Sequence, residues 1–298
     1  MKKLFTILAV AAAVVACQKN EIVALDNGEA ISFGNAFVEN SVRADYSTTD
    51  LKGFTLYGTV NNVNIYNEVA VTKGTANYGE AWTCPVQQYW IEGAAYKFAA
   101  VVDADEVNVD ETTKMPTSLV YAAAGQKDML YKYVEMTGQA KDNNDIVGFT
   151  FTHLLAKAYF TLTNNTNDTK YTYSISKVKV TNAYQNGVYA VTGDTGSWSG
   201  SNPDATNFDS IEDVVYGTPE TNAEVLLIPG ASVGVSFTVT LKIDGKEVTS
   251  FDVNETAVVT PTANSVYNFN VALSPNDPIQ FTVEKQPEWA TPTNDVEL

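Results

Sequence analysis

The chain has 298 residues, of which 45% are hydrophobic, and its 18 basic and 35 acidic side chains give a formal net charge of -17. With 16 Tyr and 13 Phe it has enough apolar surface for a buried core, and its length suggests two domains of ordinary size. The negative charge disfavours partners such as nucleic acid or anionic membrane surfaces, because phosphate recognition depends on Lys and Arg.

The N-terminus has the features of a bacterial lipoprotein signal. Lys2 and Lys3 precede an apolar stretch at 4–15, and the small residue Ala16 stands before Cys17. This stretch is shorter than the roughly 20 residues that a membrane-spanning helix needs. Residues 14–17 also look like a lipobox, so we expect residues 1–16 to be removed and Cys17 to carry acyl chains that anchor the protein to the membrane. The alternative is an ordinary signal peptide followed by an incidental Cys.

Residues 17–43 form a pro-segment that ends at the only arginine of the chain. Ile31, Phe33 and Phe37 predict a first strand with these three side chains on one face. The surroundings of Arg43 are polar, as in exposed loops where proteolytic nicking concentrates. A cut by an Arg-specific protease between Arg43 and Ala44 would therefore remove both the anchor and the first strand. The alternative is that a rare residue type lies there by chance.

The rest of the chain predicts strands almost everywhere and no convincing amphipathic helix. Alternating apolar residues on both sides of Asp244-Gly245 predict a β-hairpin, and a second hairpin is predicted around Asn186-Gly187. Residues 147–162 are predicted as one long extended segment. Three polar, turn-rich stretches are predicted as loops: 103–111, 142–145 and 195–207.

Short strands at this spacing imply an all-β fold made of β-sandwiches. The boundary between two such domains is predicted near residue 150, which gives an N-terminal sandwich at 44–150 and a C-terminal sandwich at 151–298. Cys84 is the only thiol left once Cys17 is acylated, so an intramolecular disulfide is excluded. We interpret Cys84 as a small core residue rather than as a nucleophile.

The sequence contains no catalytic or metal-binding constellation. The only histidine, His153, lies in an apolar strand run without a nucleophile signature, which favours a structural role. One His and one free Cys are too few for a zinc site, and the acidic run at 103–111 lacks the spacing of a calcium-binding loop. A hydrolase with dispersed carboxylates remains an open but unsupported alternative. We therefore expect a protein that is not an enzyme and that has no metal or cofactor.

The two ends of the chain share a strand pattern. Ile279, Phe281 and Val283 near the C-terminus repeat the Ile-x-Phe pattern of Ile31 and Phe33. Loss of the first strand would uncover a groove with unpaired backbone groups, which the C-terminal strand of another molecule could fill by strand addition. Such an interface is heterologous, so its repetition yields a filament. The alternative is that the last strand belongs to its own domain.

Six features occur along the chain: the lipobox, Ile31-Ser32-Phe33, the single Arg43, and the segments 54–58, 151–157 and 227–229. Together they resemble the fimbrillins, the type V pilin subunits of Bacteroidales bacteria. The resemblance implies two transthyretin-like β-sandwich domains in tandem behind a lipidated pro-segment. It also implies lipidation of Cys17, cleavage of the bond between Arg43 and Ala44, and a donor segment at about 278–298.

The resemblance further implies a structural pilin subunit for adhesive surface fimbriae. Such a subunit is exported as an outer-membrane lipoprotein precursor, is cleaved by an Arg-specific protease and then forms a polymer with other pilin subunits. In that family anchor subunits keep the pro-segment and tip subunits lack a donor tail, so the presence of both Arg43 and a terminal strand favours the stalk. Asp209-Ser210-Ile211 also resembles the O-glycosylation pattern of these bacteria.

The alternative function is that of a monomeric outer-membrane lipoprotein that binds glycan or a host ligand. Four tryptophans offer faces on which sugar rings could stack, although such residues in β-sandwiches more often pack in the core: Trp82, Trp90, Trp198 and Trp289.

Overall fold

A computed structural model describes residues 29–38, 51–74, 82–138, 146–221, 224–274 and 279–286. These residues form an all-β structure of 19 strands with a single 3-10 turn at Ala123–Gly125, which confirms the predicted fold class. No helix within these ranges has the length and apolar character needed to cross a bilayer.

Seven strands form the first sheet, in the order β1-β9-β8-β5-β2-β3-β4. Their bounds are β1 Ser32–Val38, β2 Gly53–Val60, β3 Val63–Lys73, β4 Trp82–Thr83, β5 Ala95–Val102, β8 Leu130–Thr137 and β9 Ile146–His153. The remaining strands of the first half are β6 Glu106–Val109 and β7 Pro116–Ala122, which belong to another sheet.

The second half of the chain contributes ten strands. Their bounds are β10 Ala156–Asn164, β11 Tyr171–Thr192, β12 Thr195–Asn207, β13 Ile211–Val214, β14 Glu220–Thr221, β15 Val225–Leu227, β16 Val233–Ile243, β17 Lys246–Val259, β18 Ser265–Leu273 and β19 Gln280–Gln286. The second sheet has the order β14-β10-β18-β19, with β15 also on β10, and the third has the order β17-β16-β11-β7-β6, with β12 and β13 also on β11.

Three apolar clusters hold these sheets together. The first lies on the inner face of the first sheet and includes Phe33, Phe98 and Phe149. The second fills the space between the second and third sheets and includes Phe160 and Phe237. The third contains residues of all three sheets, so it joins the two halves of the chain. Burial of these side chains is the main favourable contribution to the stability of the fold.

The predicted hairpin at Asp244-Gly245 is confirmed. β16 and β17 pair in antiparallel fashion on either side of it, from Ile243 opposite Lys246 onward. Asp244 has φ of 49° and Gly245 has φ of 75°. Two successive residues with positive φ are typical of the tight turns that match the twist of the flanking strands.

The hairpin predicted around Asn186-Gly187 is wrong. These residues lie within β11, which continues to Thr192, and the chain reverses at Gly193 and Asp194 instead. Gly187 is present for a packing reason, because a Cβ there would lie 2.8 Å from Cζ3 of Trp198. Gly187 therefore marks the close approach of the Trp198 side chain to a strand, not a turn.

Two predicted loops and the long predicted strand also differ from the structure. The stretches expected to be loops at 103–111 and 195–207 contain β6 and the whole of β12, because each forms a hairpin with its neighbouring strand, β7 or β11, despite its polar sequence. The segment predicted as one strand at 147–162 is divided into β9 and β10 at Leu154 and Leu155. Residues 142–145 lie outside the described residues. The boundary predicted near residue 150 falls inside β9 and stays a prediction.

A short polar contact links the two halves beside the third cluster. The side-chain amide of Gln126 accepts a hydrogen bond from the backbone N of Leu226 at 2.7 Å and donates one to its carbonyl oxygen at 3.2 Å. The same Nε2 also donates to the carbonyl oxygen of Ala123 at 2.7 Å. The side-chain amide of Gln126 therefore bonds to the backbone of β15 as a residue of a neighbouring strand would.

Replacement of Gln126 by Ala removes these bonds and leaves the buried backbone of Leu226 without them. We expect Gln126→Ala to lower the free energy of unfolding by about 1–3 kcal/mol, the cost of an unsatisfied buried polar group. Denaturant unfolding of the protein from residue 18 onward measures this. Lys127→Ala is the matched control, because it removes only an exposed ion pair with Asp105 and should change stability little. Equal effects of the two substitutions would contradict the interpretation.

Candidate functional site

The first strand and the residues just before it pair with two different parts of the chain. β1 pairs in parallel with β9, from Ser32 opposite Ile146 to Val38 opposite Phe151. Just before β1, the backbone N of Ile31 donates to the carbonyl oxygen of Gln88 at 2.8 Å, and Ala30 forms an isolated bridge with Tyr89. The segment 29–38 therefore contacts β9 at one end of the first sheet and residues 88–90, which follow the strand at its other end.

The inward side chains of β1 are part of the first cluster. Phe33 is 5% exposed and Ile31 is 6% exposed. The ring of Phe33 lies 5.6 Å from that of Tyr66 and 5.9 Å from that of Phe98, both edge to face, and 6.3 Å from the stacked ring of Phe149. Aromatic pairs at such distances contribute beyond their buried area. The sequence prediction placed Ile31 and Phe33 together on one face, and both side chains point into this cluster.

A bulge changes the inward face in the second half of β1. The register with β9 shifts between Gly34 and Phe37, and Ala36 and Val38 are the buried side chains beyond it. The sequence prediction named Phe37, whose side chain lies outside the described residues, and it missed Ala36 and Val38. A bulge adds one residue to a strand and so inverts the alternation. Gly34 was the available signal, because an isolated glycine in a strand pattern suggests a bulge.

We call the space that β1 occupies beside β9 the slot, and residues 88–91 form the wall of the slot on the side away from β9. Tyr96 holds this wall in place. The backbone N of Ile91 donates to the Tyr96 hydroxyl at 2.8 Å, and this hydroxyl donates to the carbonyl oxygen of Tyr89 at 3.1 Å. Burial raises the pKa of Tyr96 and that of Tyr66 above the ordinary value, so both hydroxyls are neutral at physiological pH. The Tyr96 hydroxyl therefore links residues 89 and 91 independently of the bonds that this wall makes to residues 29–31.

A cavity of about 410 Å³ runs beside β1 and is lined by Ile31, Phe33 and residues 82–87. Cys84 is one of these residues and is partly buried against the first cluster. Its Sγ donates to the carbonyl oxygen of Val86 at 3.2 Å, and burial raises the pKa of the Cys84 thiol. A raised pKa lowers the thiolate fraction, as expected for a packing residue rather than a nucleophile.

The C-terminal strand lies at the edge of the second sheet. β19 pairs in antiparallel fashion with β18, from Gln280 opposite Ala272 to Gln286 opposite Val266. Ile279, Phe281 and Val283 are partly buried against the second cluster. The Phe281 ring lies 6.4 Å from the rings of Phe269 and Phe237. β19 is therefore an edge strand of its own sheet. Its role as a donor strand stays a prediction.

The processing residues of the pro-segment are not part of the described structure. Cys17, Arg43 and Ala44 lie outside the described residues, as does the segment 287–298 of the predicted donor. Lipidation and cleavage therefore stay predictions. In sequence, Arg43 separates β1 from β2, so a cut after Arg43 would break the only covalent link between β1 and the rest of the fold.

The remaining candidate side chains have structural contacts. His153 and Asp128 are fully buried, and Nδ1 of His153 lies 2.8 Å from Oδ2 of Asp128. Within the described ranges, His, Cys, Asp and Glu form no group of three that could hold a metal ion. Trp90 is buried in the first cluster, and Trp82 packs against it.

Trp198 is partly buried against the third cluster, and its Nε1 donates to the carbonyl oxygen of Leu154 at 2.7 Å. Trp289 lies outside the described residues. Ser210, in the segment that resembles an O-glycosylation pattern, is exposed immediately before β13.

The sequence profile of the fimbrillin-like family matches residues 43–287. No curated protein matches the chain. A fimbrial protein from Bacteroides vulgatus superposes with a TM-score of 0.58 at 14% identity, over 88% of this chain and 99% of that one. A proposed cell adhesion protein from Bacteroides uniformis gives a TM-score of 0.51 at 16% identity, over 80% of this chain and 92% of that one. At such identities the likeness establishes a shared fold.

Phe33 is the side chain on which the packing of β1 depends most. Phe33→Ala should lower the free energy of unfolding of the uncleaved protein by about 3–5 kcal/mol, because it removes a buried ring from among three others. Denaturant unfolding monitored by fluorescence checks this. The adjacent exposed Ser32 provides the control, since Ser32→Ala should change stability by less than about 0.5 kcal/mol. If Phe33→Ala is equally mild, β1 does not pack as described.

Cys84 reports whether β1 is in place. A chain that begins at residue 44 should react with a thiol reagent several-fold faster than one that begins at residue 18, because loss of β1 opens the cavity and lowers the raised pKa of the thiol. Cys84 is the only thiol in both chains. Reaction rates are compared at low protein concentration, with both chains in denaturant as the control for equal intrinsic reactivity. Equal rates in the folded state would show that β1 does not shield Cys84.

Proposed function

The chain belongs to the fimbrillin-like family, and from this premise we propose that it is a fimbrial stalk subunit assembled by strand exchange. It is a pilin-type structural protein of surface fimbriae rather than an enzyme. In the proposed sequence of events, the protein is exported as a lipoprotein acylated on Cys17 and anchored in the outer membrane. Cleavage between Arg43 and Ala44 then frees β1, and the C-terminal strand of a second copy takes its place to build an adhesive fimbria.

The pairing of β1 with β9, together with that of residues 29–31 with residues 88–90, is the observation that carries this proposal. Departure of β1 leaves unpaired backbone groups both on β9 and on residues 88–90. It also exposes the interior that Ile31, Phe33 and Val38 cover, a loss of about 5–9 kcal/mol at about 1.5–3 kcal/mol for each large apolar side chain. This loss is comparable with the whole stability of many domains. An open slot would therefore recruit a replacement strand.

β19 has the properties that the slot requires. Both β1 and β19 are seven residues long. With Phe281 in place of Phe33, Ile279 takes the place of Ile31, so the two largest inward side chains of β1 are matched. Strand addition of this kind derives its affinity from main-chain bonds and its register from alternate side chains.

The transfer of β19 would exchange the edge of its own sheet for a more buried position. Among the described strands β19 pairs with β18, and its apolar side chains are only partly buried. In the slot a strand pairs with β9, the residues before it bridge to residues 88–90, and the side chains at the positions of Ile31 and Phe33 are buried. Each additional hydrogen bond contributes about 0.5–1.5 kcal/mol net.

The alternative of a monomeric glycan-binding lipoprotein has less support. Trp90 is buried within the first cluster, and Trp82 and Trp198 pack against apolar clusters, so these rings are poorly available for stacking on sugars. A cleaved protein that stayed monomeric would favour this alternative, and a glycan array would then identify its ligand.

Treatment of the lipid-free precursor with an Arg-specific protease tests the proposal. We expect N-terminal sequencing of the large product to begin at Ala44 and an unheated electrophoresis gel to show a ladder of multimers. Heating should collapse this ladder to monomer, because the contacts between copies are not covalent.

Two variants serve as controls for this experiment. Arg43→Ala should be neither cut nor multimerised, and a chain that ends at residue 278 should be cut at the same rate without forming a ladder. Cleavage elsewhere, or a ladder that persists in the shortened chain, would contradict the proposed mechanism.

A further inference from the structure

The outward face of the slot has one point of close approach, between Gly34 and Ile146. A Cβ placed on Gly34 would lie 2.8 Å from Cγ2 of Ile146 and 3.8 Å from its Cδ1. Carbon atoms at optimal contact are about 3.5–4.0 Å apart, so the shorter distance is a clash. Ile146 therefore fills the space that a side chain at position 34 would occupy.

Gly34 is present for space rather than for its backbone conformation. The glycines with positive φ in the described structure are at other positions, so another residue could adopt the backbone of Gly34. Ser32 pairs with Ile146 and Gly34 with Gly148, both outward, while Phe33 and Val147 between them point inward. The Ile146 side chain leans along the strand toward Gly34, and 49% of its surface remains exposed.

The donor strand has a larger residue at the matching position. The alignment of Phe281 with Phe33 puts Thr282 in the place of Gly34. Threonine has two heavy atoms on Cβ, which makes its side chain both wide at that point and stiff. For β19 to enter in this register, the side chain of Ile146 has to rotate away from the position it has over Gly34.

We propose that Ile146 is a specificity-determining residue of the slot, which favours the glycine of the chain's own first strand over the threonine of an incoming strand. This inference rests on the proposed strand exchange. Ile146 makes the seated β1 a better fit than the donor at this position, so the precursor stays closed while β1 is covalently attached. After cleavage the donor strand enters only once the side chain of Ile146 has rotated away. Ile146 therefore slows assembly.

A double-mutant cycle in the full chain tests the role of Ile146. Precursors carrying Ile146→Ala, Thr282→Gly or both are cleaved with an Arg-specific protease, and the rate of ladder formation is measured at equal cleaved fractions. Each single substitution should accelerate assembly several-fold, and the double variant should be no more than about twofold faster than the faster single variant, because either change alone removes the clash. Gln280→Ser is the matched control, since Gln280 is also exposed on β19 but aligns with the outward-facing Ser32 rather than with Gly34, and it should not accelerate assembly.

A second measurement addresses the contact without assembly. In the uncleaved precursor, Gly34→Ala should lower the midpoint of thermal unfolding, and Ile146→Ala in the same chain should restore most of this loss. A normal ladder with no acceleration by either single substitution, or with fully additive effects, would overturn the role of Ile146 alone. The absence of a ladder from every cleaved variant would overturn the strand exchange and this proposal with it. A Gly34→Ala variant that is not rescued by Ile146→Ala would show that the close approach does not determine the fit.

Discussion

The pairing of β1 with β9, together with the bridge from residues 29–31 to residues 88–90, is the constraint on which the rest of this protein depends. It places Phe33 among the rings of Tyr66, Phe98 and Phe149. Strand edges are normally protected because unpaired backbone groups invite pairing with other chains. Here the edge of β9 and an apolar interior are covered by a strand that precedes the single arginine of the chain, so the proposed cut at one peptide bond would uncover both.

Covalent attachment explains how such a strand could be held firmly and yet be exchanged in the proposed mechanism. While β1 is part of the chain, its effective concentration at the slot is far above that of any strand from another molecule. The proposed cleavage between Arg43 and Ala44 would remove this advantage without any change in the slot itself. Competition would then depend on small differences in fit and burial, among which the space over Gly34 and the partial burial of Phe281 in its own sheet are visible in the structure.

The slot and the C-terminal strand lie in different sheets of the same molecule. β1 belongs to the first sheet and β19 to the edge of the second, so under the proposed exchange a single copy would accept one strand and donate another. An interface built from two different surfaces is heterologous and extends into a filament when it repeats. The long strand β11 pairs with both β16 and β7, and the contact of Gln126 with Leu226 joins the same two halves. Tension applied between slot and donor strand would pass through these connections.

The sequence by itself determined the all-β class, the hairpin at Asp244-Gly245 and the apolar pattern shared by the two end strands, because each depends on local alternation or local turn chemistry. It also identified Cys17 as the predicted site of lipidation and Arg43 as the predicted site of cleavage, from their sequence neighbours alone. Tertiary structure decided the rest. Asn186-Gly187 continues a strand because Trp198 and β7 pack there, Leu154 divides two sheets, and a bulge after Gly34 turns Ala36 and Val38 inward. Register and pairing partner are set by strands distant in the chain, and local pattern carries no information about them.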